Sequence, residues 1–218
     1  MDNNTKTITI SEWPFRIKLA VNPNKPLKVI LLLHGHLGNE DSMWVLTKPL
    51  PDCYTLLAPR APVETGERSY SWHEINDNWP AFSHYQELAN QLLSRVDKWS
   101  NDNLYQVDSM DVMGFSQGAV MAYALAMSNP EKIRKVAALA GFIPSSWHER
   151  LNQSSLSDKD FFIAHGIHDE MVPFEKARQA ENWLRENHAR VTFCEADTGH
   201  KLTANCLRGL GEFFSNDR

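Results

Sequence analysis

The hydrophobic and polar positions of this chain alternate between short apolar runs and amphipathic stretches of helical period. Thr5 to Ile10 and Phe15 to Val21 are predicted as strands on either side of a Trp13-Pro14 break, with a turn over Asn22 to Pro26. Leu27 to Leu33 is nearly all apolar, as a central strand covered on both faces should be, and Tyr54 to Ala58 reads the same way. Val63 to Pro80 is polar and aromatic and is expected to be a loop over the functional end of the sheet. From Ser83, the apolar positions Tyr85, Leu88, Ala89, Leu92, Leu93, Val96 and Trp99 predict an amphipathic helix of about four turns. A further strand ends at Gly114, and the helix after it, Gln117 to Ser128, stops before Asn129-Pro130. Strands follow at Ile133 to Ala140, Asp160 to His165 and Val191 to Ala196, with a Ser-rich connection over Gly141 to Lys159. Helices are expected at Pro173 to Asn187 and, marked by Leu202, Cys206, Leu207, Leu210, Phe213 and Phe214, at the end. This alternation predicts an α/β fold with a mostly parallel central sheet and helices on both faces. No repeat or linker interrupts it, so residues 1–218 are expected to form a single domain.

Where the strand before residue 115 meets its helix, the chain reads Gly114-Phe115-Ser116-Gln117-Gly118. In a G-x-S-x-G turn the serine is held in a strained conformation at a helix N-terminus, where free backbone N–H groups can stabilise an oxyanion. Side chains at 114 or 118 would collide with the neighbouring strand or helix. Ligands collect at the carboxyl ends of strands in such sheets. Three of those ends carry chemistry: His34-Gly35-His36-Leu37-Gly38, Ser116, and the paired loops His165-Gly-Ile-His-Asp169 and Asp197-Thr-Gly-His200. Ser116, Asp169 and His200 follow one another in the order nucleophile, acid, base, which differs from the orders in trypsin-like and subtilisin-like proteins. Glu170 and Asp197 stand in reserve as the acid.

Composition narrows the function. The net charge of −5 gives no footprint for nucleic acid or an anionic membrane surface, and no apolar run approaches the length of a membrane span, so no stable membrane insertion is expected. Cys53, Cys194 and Cys206 are scattered without a C-x-x-C spacing and read as reduced thiols. With no signal-peptide pattern at the N-terminus, a cytoplasmic protein is expected. His34-x-His36 and His165-x-x-His168 could in principle hold zinc, but no H-E-x-x-H helix or dense His/Asp cluster accompanies them. Neither a metal nor any other cofactor is expected. Phosphate-binding glycine loops are absent.

The landmarks together resemble the phospholipase/carboxylesterase family of α/β-hydrolases, which also includes the acyl-protein thioesterases. They are Leu33-His34-Gly35, Pro59-Arg60-Ala61-Pro62, Tyr70-Ser71-Trp72, Gly114 to Gly118, His165-Gly166-x-x-Asp169-x-x-Val172-Pro173 and Gly199-His200. The resemblance implies a serine carboxylesterase in which the backbone N–H of Gln117 and that of the residue after His-Gly, His36, form the oxyanion hole. The family's first loop often carries a small residue and glycines where this chain has His36 and Leu37, so Leu37 is the alternative second donor. Leu37, Trp72, Phe115 and Met171, with Trp44 and Trp147 nearby, suggest a pocket for an acyl chain or aryl group of modest size. Short- to medium-chain carboxylic esters are the expected substrates. Lysophospholipids and acyl-protein thioesters are alternatives within the same chemistry, and a non-catalytic binding module is the alternative from another class. The oligomeric state is not readable from the sequence.

Overall fold

The computed structural model describes residues 5–21, 23, 25–74, 79–150, 156–157 and 159–216. Parts of three predicted segments, the 22–26 turn, the 63–80 loop and the 141–159 connection, lie outside the described residues, as do residues 1–4.

An antiparallel pair, β1 (Thr5–Ile10) and β2 (Trp13–Lys18), opens the chain. The strands β3 (Val29–Leu33), β4 (Thr55–Pro59), β7 (Met110–Phe115), β8 (Ile133–Leu139), β9 (Asp160–Gly166) and β10 (Arg190–Ala196) then run parallel to one another. Together they form an eight-stranded sheet of order β1-β2-β4-β3-β7-β8-β9-β10. The period-2 geometry of a strand explains why β3 is apolar at every position: Val29, Leu31 and Leu33 enter one core, and Ile30 and Leu32 the other. The first core is closed by three helices, α1 (Phe82–Asp102), α2 (Gln117–Ser128) and α3 (Phe174–Glu186). α4 (Ala204–Ser215) and the short 3-10 turn at Ser42–Leu46 close the second. Helices therefore cover both faces, as the alternation predicts.

Several elements depart from expectation. β2 spans Trp13–Lys18 rather than Phe15 to Val21, so the predicted Trp13-Pro14 break lies inside the strand and the turn falls at Ser11 and Glu12, both at positive φ. Within the segment expected to be a loop, β5 (Val63–Gly66) and β6 (Ser69–Ser71) pair as a small hairpin whose register shifts between Glu64 and Gly66. Strands of four and three residues with polar side chains carry no alternation to detect. α1 runs for 21 residues rather than about four turns; its predicted apolar positions are all buried, and a Lys98–Asp102 pair at 2.8 Å lies on the added last turn.

The cysteines also correct the sequence reading. Cys194, on β10, and Cys206, in the first turn of α4, form a disulfide with Cα atoms 5.7 Å apart, while Cys53 is free. The partners meet because strand and helix flank one loop, a proximity that a motif search on spacing does not register. The reduced-thiol argument for a cytoplasmic location loses its basis, since structural disulfides belong mainly to oxidising compartments. Among the described residues no helix is long and apolar enough to cross a membrane.

Candidate active site

The turn between β7 and α2 places Ser116 at φ 53°, ψ −118°, a left-handed backbone that a non-glycine residue adopts only under constraint. The constraint is visible on both sides. A Cβ on Gly114 would lie 2.1 Å from the carbonyl oxygen of Gly118, and one on Gly118 would lie 2.1 Å from that of Leu33. Ser116 N–H donates to Leu139 O at 2.8 Å, fastening the turn to β8. Within α2 the first backbone donors with partners in the turn are Ala119 and Val120, both bonded to Ser116 O. The N–H groups of Gln117 and Gly118, in the first turn of the helix, precede that ladder.

Beside this turn, Gly35 to Gly38 forms a tight turn closed by Gly38 N–H to Gly35 O at 3.1 Å. Leu37 takes the positive φ of 63° in it. His34 holds the turn from beneath, fully buried. Its Nε2 accepts from Ala61 N–H at 3.0 Å and its Nδ1 lies 2.7 Å from Gly35 O. A carbonyl only accepts, so Nδ1 carries the proton and the imidazole is neutral. Burial pushes its pKa down to about 4. With both nitrogens engaged, His34 has no lone pair for a metal, and among the described residues no group of three or more metal-ligating side chains converges.

Trp72, predicted to touch substrate, does not reach the cleft. It is fully buried, with Nε1 donating to His34 O at 2.8 Å and its backbone N–H to Gln117 Oε1 at 3.0 Å. Gln117 Nε2 donates to Ser71 Oγ at 2.9 Å, and Tyr70 N–H donates to Gly38 O at 2.9 Å. Residues 70–72 thus stitch the Gly35–Gly38 turn to the start of α2. Trp147 is likewise buried, against Phe82 and Tyr85, and Trp44 packs under the Arg16 guanidinium.

The loops after β9 and β10 are joined backbone to backbone. Ile167 N–H donates to Ala196 O and His168 N–H to Thr198 O, and a Cβ on Gly166 would lie 2.2 Å from Gly199 O. This brings Asp169 Oδ2 to 2.7 Å from His200 Nδ1, while Asp169 Oδ1 accepts from the N–H groups of Met171 and Val172, each at 2.9 Å. The Asp169 side chain has no exposed surface; that of His200 is 21% exposed. Of the reserve acids, Asp197 pairs with His168 at the surface and Glu170 is exposed.

Ser116 and His200 line one cleft of about 510 Å³ together with Leu37, Val45, Phe115, Met171 and Leu202. The Phe115 and His200 rings lie 5.0 Å apart. Leu37, Val45 and Met171 are 56%, 80% and 76% exposed, so the rim offers apolar surface to an incoming group. Val45 and Leu202 were not predicted, because neither stands in a motif; they belong to the 3-10 turn and to the approach to α4.

Fold and cleft define a carboxylic-ester hydrolase of the α/β-hydrolase fold. The model of the phospholipase/carboxylesterase family matches residues 18–216, and the chain belongs to that family. Acyl-protein thioesterase 1 of Saccharomyces cerevisiae is 26% identical over 191 residues, covering 79% of this chain and 82% of the relative. A probable feruloyl esterase C of Aspergillus oryzae is also 26% identical over 191 residues, covering 85% of this chain but 65% of its own length. Among solved structures, a carboxylesterase from Mesorhizobium loti superposes with a TM-score of 0.83 at 18% identity, covering 99% of this chain and 100% of that one. The Bacillus cereus carboxylesterase gives 0.79 at 19% identity, covering 98% and 95%. These two likenesses concern the fold.

Proposed function

We propose that the chain hydrolyses short- to medium-chain carboxylic esters through Ser116, His200 and Asp169. The observation that carries this reading is the 2.7 Å contact between Asp169 and His200 beside the cleft that Ser116 enters on its strained turn. His200 takes the Ser116 proton as Oγ attacks the ester carbonyl. The resulting oxyanion is met by the N–H groups of Gln117 and His36, with Leu37 the alternative second donor. His200 then gives the proton to the departing alcohol and leaves an acyl-enzyme. Water, deprotonated by the same imidazole, releases the acid and restores Ser116. Asp169 fixes the Nδ1–H tautomer and stabilises the imidazolium throughout.

The apolar rim of Leu37, Val45 and Met171 and the volume of the cleft suit an acyl chain of modest length. Aryl esters are a second reading, favoured by Trp79, which is 44% exposed and meets the Phe142 ring edge-to-face at 4.9 Å. Phe142 follows Gly141, whose backbone packs closely against the Ser116 carbonyl, where a Cβ would lie 3.0 Å from Ser116 O. The feruloyl esterase relative agrees with that reading.

Labelling with a fluorophosphonate and hydrolysis of p-nitrophenyl esters of graded acyl length test the proposal. Ser116→Ala should fold normally, resist labelling and lose about 10⁴-fold or more in kcat. A folded Ser116→Ala protein with most of its activity would refute the mechanism. A rate that keeps rising towards long acyl chains would refute the substrate range.

A further inference from the structure

Asp169 has a second imidazole beside it. His165, at the end of β9, has no exposed side-chain surface, and its Nε2 stands 2.8 Å from Val172 O and 3.3 Å from Asp169 Oδ2. Both neighbours accept hydrogen bonds, so Nε2 carries the proton. Nδ1 is then a bare lone pair, buried and without a partner among the described residues. Burial also holds His165 below the usual histidine range, in keeping with a neutral ring. A phenyl ring would fill the same space without burying an unpaired acceptor, so what the imidazole adds here is its Nε2–H.

That donor closes a circuit. His165 Nε2–H binds Val172 O, and Val172 N–H binds Asp169 Oδ1 at 2.9 Å, while Oδ2, within reach of the same Nε2–H, accepts from His200 Nδ1–H. The carboxylate is therefore gripped on one oxygen by the 171–172 backbone and on the other by His200, with His165 fixing the backbone and flanking the second oxygen. Because the Asp169 and His200 loops are joined backbone to backbone, little slack remains to absorb a shift of the carboxylate.

We propose that His165 is a positioning residue: its Nε2–H orients Asp169 through Val172, so that Asp169 holds His200 in its working geometry. This rests on the reading of Asp169 and His200 as the acid and base. Without the donor, the Asp169–His200 bond loosens. The imidazolium formed during the reaction is then less well stabilised.

The test compares His165→Phe, which keeps a buried ring and removes the donor, with His165→Gln, whose amide can donate to the Val172 carbonyl. With p-nitrophenyl butyrate, His165→Phe should lower kcat about 10- to 100-fold, the scale of a misplaced catalytic group. KM should change little. His165→Gln should recover at least a third of wild-type kcat. Two results overturn the proposal: a folded His165→Phe enzyme with wild-type kcat, or a folded His165→Gln enzyme as impaired as the Phe variant. If His165→Phe does not fold, His165→Gln decides alone, and more than a tenfold loss of kcat in it counts against the proposal. Fluorophosphonate labelling of wild type and His200→Ala is run alongside. Equal labelling of the two would indict the assignment of His200 as base, independently of His165.

Discussion

Acidification should destabilise this protein through His34, by an amount the structure allows to be estimated. The imidazole is fully buried and neutral, with its proton on Nδ1 facing Gly35 O and its Nε2 lone pair taken by Ala61 N–H. Protonating Nε2 would set N–H against N–H and place a charge in the core. Its pKa therefore falls from 6.5 to about 4. In the unfolded chain the ring takes up its proton near pH 6.5, while in the fold it stays neutral until about pH 4. Between those values the unfolded state binds more protons, so stability is at its full value above pH 6.5 and is lost as pH falls. At about 1.4 kcal/mol per unit, the full loss is about 3 kcal/mol, most of it present by pH 4.5. Urea unfolding of wild type and His34→Gln at pH 7.5 and pH 4.5 isolates this contribution, because the other buried histidines are common to both. The variant should be less stable at pH 7.5, and the gap should narrow by about 2.5 kcal/mol at pH 4.5. A gap that is constant with pH would refute the assignment of a neutral, bonded His34.

Three further outcomes follow from contacts away from the titrating groups. Gly118→Ala forces a Cβ to within 2.1 Å of Leu33 O, a backbone atom that cannot yield, and should cost about 3 kcal/mol or more, read as a fall in Tm of about 10 °C. The Cys194–Cys206 link closes a loop of sequence separation 12 that contains His200; replacing both cysteines with serine should cost roughly 3 kcal/mol, and an unchanged Tm would refute the estimate. Asp111, fully buried at the far end of β7 from Ser116, accepts from Tyr54 Oη at 2.7 Å and from Arg134 Nε and Nη2 at 3.0 and 2.8 Å. Asp111→Ala should destabilise by about 3–5 kcal/mol in chemical denaturation while leaving the kcat of the folded fraction at the wild-type value.

Local pattern made much of this legible. The predicted bounds of α2 are those observed, because a glycine-flanked serine starts it and Asn129-Pro130 stops it. β3 announces its position by being apolar on both faces, and the strand-end loops carry their chemistry in recognisable order. What escaped depends on partners distant in sequence. Trp72 has the character of a substrate-facing aromatic, yet its indole N–H is used by His34 O, and only the fold brings those together. Val45 and Leu202 look like ordinary loop residues until the cleft forms between them. Cys194 and Cys206 become neighbours only when β10 and α4 pack. Sequence periodicity reports which face of an element is buried, and it is silent about what lies opposite.

The surroundings of the histidines set the proposed base, His200, apart from the others. His34, His73 and His165 each place one ring nitrogen 2.7–2.8 Å from a backbone carbonyl, of Gly35, Glu74 and Val172 respectively. The carbonyl takes the N–H, and burial outweighs both it and, for His165, the Asp169 carboxylate at 3.3 Å, so all three are shifted towards the neutral form. A ring held this way is a fixed strut. His168 has a carboxylate partner, Asp197, at 2.9 Å, but the two side chains are 68% and 87% exposed, and water screens the pair. His200 combines what the others have singly: a fully buried carboxylate at 2.7 Å on Nδ1, and a ring open enough to line the cleft. The buried charge can stabilise an imidazolium where solvent cannot screen it, and the exposed edge can reach a substrate. The same division fits the arrangement of the strand ends, where neutral imidazoles hold the Gly35–Gly38 turn and the Asp169 loop, and where the proposed mechanism gives proton exchange to His200 alone.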